Sequence, residues 1–251
     1  MVLLLFALAV APGIAVCLFI YSLKRYGPGS MRYLVTSFIL GMAATLPALL
    51  IQLRAVDVRT EPWRHSIASY IWYAFAVVAL SEEGSKFLVL RFYAYPKRVF
   101  REPFDGVVYG VMIGMGFATV ENIEYVHKFG LETGVTRFFL AIPAHAAFAV
   151  LMGYPVGRAK FRQRRRVWLL LWGLLVAVLF HGSFDFFLFV QQNREITRYL
   201  STGMLSFGSF ATFYIAVRLA MRALRIHQAS RQADGDGENQ GIHPHQTTND
   251  G

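Results

Sequence analysis

Seven runs of roughly twenty mostly apolar residues succeed one another along the chain, at about 2–23, 33–53, 69–90, 106–125, 136–156, 167–190 and 200–223. A helix of that length, rising ~1.5 Å per residue, crosses a hydrocarbon core of ~30 Å. The sequence is 55% hydrophobic and only 16% charged, whereas soluble domains are about 25% charged. The expectation is an all-α, polytopic transmembrane helix bundle of about seven spans within residues 1–225. Residues 226–251 are rich in Gly, Gln and Asp and poor in anything that packs, so a disordered polar tail is expected there.

The first run has no basic residue ahead of it and is too long for a signal-peptide core. It reads as an uncleaved span with the N-terminus outside. Seventeen Lys and Arg fall in the first, third and fifth connections and the C-terminal region, against seven in the second, fourth and sixth. Short cytoplasmic loops collect such residues, which places the C-terminus in the cytoplasm. The net charge of +10 raises nucleic acid as a partner, with RAKFRQRRR (158–166) as the segment. On a membrane chain that run reads instead as a cytoplasmic loop touching anionic lipid headgroups, and no nucleic-acid partner is expected. The single cysteine, Cys17, excludes an intrachain disulfide and a thiolate metal cluster.

Against this apolar background a few ionisable residues stand inside the runs: Glu82, Glu83, Lys86, Glu121, His145, His181 and Asp185. A charge at the bilayer centre costs about 2.5–3.5 kcal/mol on insertion scales unless it faces a partner or a wet cavity. Four unpaired acids would therefore cost on the order of 10 kcal/mol, as much as a whole fold's stability. Helical spacing shows which of them cooperate. Glu82 and Lys86 are four apart and share a face, whereas Glu83 points about 100° away. His181 and Asp185, also four apart, line one stripe. His145 follows Pro143, whose missing N–H loosens the helix where the imidazole enters. Glu121 and Asn122 bring a carboxylate and an amide on the fourth run.

Acids and imidazoles converging from three or four helices compose an oxygen–nitrogen site for a divalent metal, with zinc the usual occupant of two histidines and a carboxylate. Such an ion lowers the pKa of water to about 7, and a spare glutamate moves the proton; the chemistry is hydrolysis. The alternative is a proton-linked transporter or a non-catalytic membrane scaffold, since transporters also place acids and histidines at mid-depth. Gly106, Gly110 and Gly114, and again Gly153 and Gly157, form small-residue stripes that let another helix approach closely.

SEEGSK (81–86), FDGVVYGVMIGMGFATVENIEY (104–125), IPAHAAFAVLMGYPVG (142–157) and HGSFD (181–185) occur in that order on successive runs. Together they resemble the PrsW family of intramembrane proteases, over roughly residues 80 to 190, while the first two runs, the seventh and the tail match nothing in particular. The resemblance implies an endopeptidase of the bacterial plasma membrane that cuts a single-span membrane substrate such as an anti-sigma factor. The family's paired glutamates fall on Glu82 and Glu83, its lysine on Lys86 and its histidines on His145 and His181. Its FDG and EN elements fall on Asp105 and on Glu121 with Asn122, and Asp185 stands where relatives can carry Asn. In relatives these groups bind a catalytic metal or activate water through glutamate directly. On this reading Glu82 or Glu83 is the general base, tuned by Lys86. His145, His181 and Asp185 hold the ion, with Glu121 after them and with Asn122 and Asp105 supporting. On straight spans Glu83 lies ~20 Å from the outer edge and Glu121 only ~7 Å, which ranks Glu121 last among the ligands.

Overall fold

The computed structural model describes residues 2–23, 30–57 and 66–240, and among these the regular structure is entirely helical. The elements are α1 (Val2–Ser22), α2 (Ser30–Ala43), α3 (Thr45–Asp57), α4 (Ile67–Ile71), α5 (Leu80–Val89), α6 (Phe104–Phe139), α7 (Ala141–Phe161), α8 (Arg166–Val190) and α9 (Thr202–Gln240). Four segments are long and apolar enough to cross a membrane: Ser30–Ala55, Phe104–Phe139, Gln163–Val190 and Thr202–Ile226, with a shorter apolar helix at Phe6–Ser22. The runs expected at 69–90 and 136–156 are absent from that set. They carry Glu82, Glu83, Lys86 and His145, the groups that lower apolarity. The second expected span is α2 and α3 joined at a break at Ala44, where Pro47 has no N–H to offer Ala43. Residues expected to begin a disordered tail at 226 continue α9 to Gln240, because extending an existing helix is far easier than nucleating one. Residues 241–251 of that tail lie outside the described residues.

α6 is the centre of the bundle. Its apolar window is 83% buried, against 28%, 28% and 22% for the other three, and it packs on α1, α2 and α7. The two glycine stripes face each other: a methyl on Gly106 would strike the main chain of Gly153 and Gly157, and one on Gly110 would lie 3.0 Å from Ala149 O. Gly114 continues the ridge to Ala149 Cβ at 2.9 Å and His145 O at 3.7 Å. Main chains this close exclude any larger residue and set α7 in register against α6.

The fourth run does not end near 125 in a loop. α6 continues through Phe129 to Gly130, where φ is +80°, a conformation open to glycine and costly for other residues. There the chain reverses. Arg137 lies 3.4 Å from Glu121, although sixteen helical residues would separate them by roughly 24 Å, and a methyl on Gly134 would touch Val126 at 3.1 Å. A second consequence concerns Pro143. α7 begins at Ala141, so Pro143 sits in the first turn, where its missing N–H has no intrahelical partner to lose and loosens nothing.

Candidate active site

α5 enters the bundle through a π-helical stretch, Trp72–Ala79, and leaves through another, Leu90–Ala94. Wide turns of this kind recur at functional sites because they re-aim side chains. Between them Glu82, Glu83 and Lys86 are 3%, 1% and 4% exposed. Spacing alone pairs Lys86 with Glu82; in the structure Nζ donates to Glu83 Oε1 at 2.7 Å and stands 3.6 Å from Glu82 Oε2. The same ammonium lies 3.3 Å from His145 Nδ1 and 4.1 Å from the centre of the Phe117 ring.

His181 of α8 reaches both glutamates. Its Nδ1 donates to Glu83 Oε1 at 2.9 Å, and its Nε2 is 3.2 Å from Asp185 Oδ2 and 3.8 Å from Glu82 Oε2. Phe148 stacks on this imidazole at 5.2 Å, and the Phe75 ring fills the space beside Gly182, which locks α8 against the π-helical stretch. His145 meets His181 edge to face at 5.2 Å and sets its Nε2 2.9 Å from Glu121 Oε2. Glu121, placed last by depth, is thus in the site. It sits two turns inside the true end of its helix, and the broken helix before α5 does not keep the straight-span depth of Glu83.

The two adjacent glutamates have different surroundings. Glu82 lines a cavity of about 940 Å³ together with Glu121, Arg137, His145, His181 and Asp185, whereas Glu83 and Lys86 do not line it. Glu82 Oε1 accepts from Gln52 at 3.1 Å, and its Oε2 is buried with no hydrogen-bond partner. Glu82, His145 and His181 each offer one ligand atom, all within 4.8 Å of one another. Lys86 and Arg137 face Glu82, Glu83 and Glu121 from two sides, and Asp185 faces His181. An orphaned buried carboxylate oxygen beside two imidazoles is a donor set that fits a divalent cation.

Two residues escaped the sequence reading. Gln52, an amide in the apolar run ALLIQLRAV, was detectable as a polar residue on an apolar face. Arg137 read as a loop cation, and no local pattern reveals the reversal that delivers it. Arg137 Nε donates to Asn122 Oδ1 at 2.7 Å, and Asn122 Nδ2 donates to Leu8 O at 3.4 Å and Ala9 O at 3.2 Å. Leu8 O is the carbonyl that Pro12 leaves without its helical partner, so Asn122 ties α1 to the site through Arg137. Asp105, expected beside the site, is elsewhere. It is buried at the start of α6, accepting from the N–H groups of Arg101 at 2.7 Å and Glu102 at 3.0 Å, sixteen residues or roughly 24 Å along the helix from Glu121.

The chain matches the family model described as PrsW family intramembrane metalloprotease over residues 29–219, which extends beyond the central runs to take in α2, α3 and most of the last apolar helix. It is 36% identical to Protease PrsW of Shouchella clausii over 72% of this chain and 81% of that protein. It is 34% identical to Protease PrsW of Geobacillus kaustophilus over 75% and 81%, and 34% identical to that of Bacillus subtilis over 73% and 82%. No solved structure matches. With the four motifs assembled around one buried cluster and these relatives aligned over most of its length, the chain belongs to the PrsW family of intramembrane proteases.

Proposed function

We propose that this protein is an endopeptidase of the bacterial plasma membrane. It would hydrolyse a peptide bond of a single-span membrane protein, an anti-sigma factor being the kind of substrate the family suggests, with Glu82, His145 and His181 holding a divalent ion, zinc by its donor set. The observation that carries the reading is Glu82 Oε2: buried, without a hydrogen-bond partner, beside two imidazoles and facing the cavity.

When bound, the ion supplies Lewis acidity to the scissile carbonyl and to the attacking water. Glu83 holds His181 through Nδ1 and so fixes the tautomer and ring angle. Lys86 offsets the charge of the glutamate pair. Glu121, bound to His145 and Arg137 and facing the cavity, accepts the proton of the water and returns it to the leaving nitrogen. Asp185, beside His181 Nε2 and lining the cavity, adds a carboxylate next to the ligand atom. The seven-span topology, with the C-terminus in the cytoplasm, belongs to the same proposal.

A second reading has an observation of its own. Lys86 already places a cation 3.6 Å from Glu82 Oε2 and 3.3 Å from His145 Nδ1, and it would repel a divalent ion; Glu82 would then activate water directly. One experiment addresses both. The purified protein is analysed for metal by inductively coupled plasma mass spectrometry and, in proteoliposomes, for cleavage of a single-span substrate. The expected result is about one zinc per chain and cleavage, both lost in Glu82→Gln. Full activity without metal selects the second reading, and wild-type cleavage by Glu82→Gln overturns both.

A further inference from the structure

At the end of the bundle away from the cavity, three cations from three elements surround one aromatic ring. Arg91 Cζ, just after α5, stands 4.7 Å from the centre of the Tyr95 ring, Arg166 Cζ, opening α8, 5.5 Å, and Lys160 Nζ, closing α7, 5.6 Å. Lys160 is held there by donating to Tyr95 O at 2.6 Å and Lys97 O at 2.9 Å. Tyr95 itself is 4% exposed. Beside it opens a second cavity, of about 300 Å³, lined by these three cations, Tyr95, Pro96 and Gln163. Among the described residues neither Arg91 nor Arg166 has an ion pair. The ring quadrupole attracts each cation and the Asp105 carboxylate acts on Lys160, but among the described residues neither guanidinium is paired with a carboxylate.

We propose that this cavity binds a phosphate group, and that the cations await the phosphate of an anionic phospholipid. Guanidinium forks match phosphate oxygens in pairs, and basic pockets between membrane helices recognise anionic headgroups. The neighbours of the three cations favour a lipid over a soluble ion. Phe92, Phe161, Val167 and Trp168 are 69%, 47%, 68% and 62% exposed, a surface suited to acyl chains next to a site suited to their headgroup.

The test measures binding of short-chain phosphatidylglycerol, phosphatidylcholine and inorganic phosphate to the full-length protein in detergent by native mass spectrometry. Phosphatidylglycerol binds, phosphatidylcholine does not, and Arg91→Gln and Arg166→Gln each weaken binding about fivefold. Arg164→Gln, an exposed arginine of the same connection that does not line the cavity, leaves it unchanged. The two pocket variants lie on different elements, so either reports on the site should the other fail to fold. Binding of inorganic phosphate as tight as that of phosphatidylglycerol keeps the anion site and assigns it to a soluble ligand. Equal losses in Arg164→Gln and the pocket variants, or none in any, overturn the proposal.

Discussion

The two halves of α6 follow different rules. From Phe104 to Thr119 every residue is buried, and the helix meets α7 glycine to glycine, main chain on main chain. From Glu121 onward the same helix is half-exposed, carries Glu121, Glu124 and Lys128 along the large cavity, and turns back at Gly130 to bring Arg137 home. Gly114 carries the ridge toward the site: a methyl there would lie 3.7 Å from His145 O, the main chain of a proposed ligand. The first half gives position without chemistry, the second chemistry without close packing. A site built from acids and imidazoles cannot pack itself tightly, so it depends on the rigid half to hold its parts within hydrogen-bond distance.

The largest effect comes from breaking the rigid half. In Gly157→Val the new Cβ would run into Pro103 O and lie 2.8 Å from Pro103 C, atoms of main chain that cannot move aside. The cost should be about 3 kcal/mol or more, seen as loss of monodisperse protein in detergent. Gly84→Ala sharpens the contrast. A methyl there meets nothing within 4 Å, and the helical preference of alanine should raise stability by up to about 1 kcal/mol. If Gly157→Val melts with the wild type, the glycine ridge does not set the fold.

Arg137 tests the other half. Removing it in Arg137→Ala leaves Glu121 without its arginine and Asn122 without a donor, while Gly134 and Val126 still pack the return segment. Cleavage should fall on the order of 10- to 100-fold, as for other residues that orient ligands, with thermal stability nearly unchanged. Arg137→Lys keeps the charge but not the fork, so it should recover part of the rate. Wild-type cleavage by Arg137→Ala would confine the reversed segment to a structural role.

What the sequence made legible was local. Glu82 with Lys86 and His181 with Asp185 were visible because helical periodicity relates residues four apart, and the glycine stripes were visible for the same reason. That they face each other, 106 and 110 against 149, 153 and 157, is a fact of the structure. Long-range facts were hidden. Gly130 lies in a run, HKFGLETG, that reads as an ordinary loop, so the reversal, the pairing of Arg137 with Glu121 and the true depth of Glu121 were all missed together. The division of labour between Glu82 and Glu83 was also invisible, because π-helical turns before α5 change which face meets the cavity. Asp105 misled because a motif's order along the chain says nothing of the ~24 Å that one long helix puts between its ends.

The smallest effect is the most diagnostic of where chemistry and stability part. Gln52 Nε2 donates to Glu82 Oε1 at 3.1 Å, fixing one oxygen so that the other faces the histidines. Hydrogen bonds to charged groups contribute about 1.5–3 kcal/mol, but Glu82 retains Lys86 nearby, so Gln52→Leu should lower the cleavage rate by only about 3- to 10-fold. Leucine at this half-buried position in an apolar helix exchanges a polar amide for an apolar side chain, so the thermal midpoint should hold or rise. The rate should therefore fall without a loss of stability. If both fall together, Gln52 holds α3 to α5 and its contact with Glu82 serves the fold; if the rate alone falls, the amide aims the carboxylate, and the α3–α5 contact belongs with the polar half of the molecule.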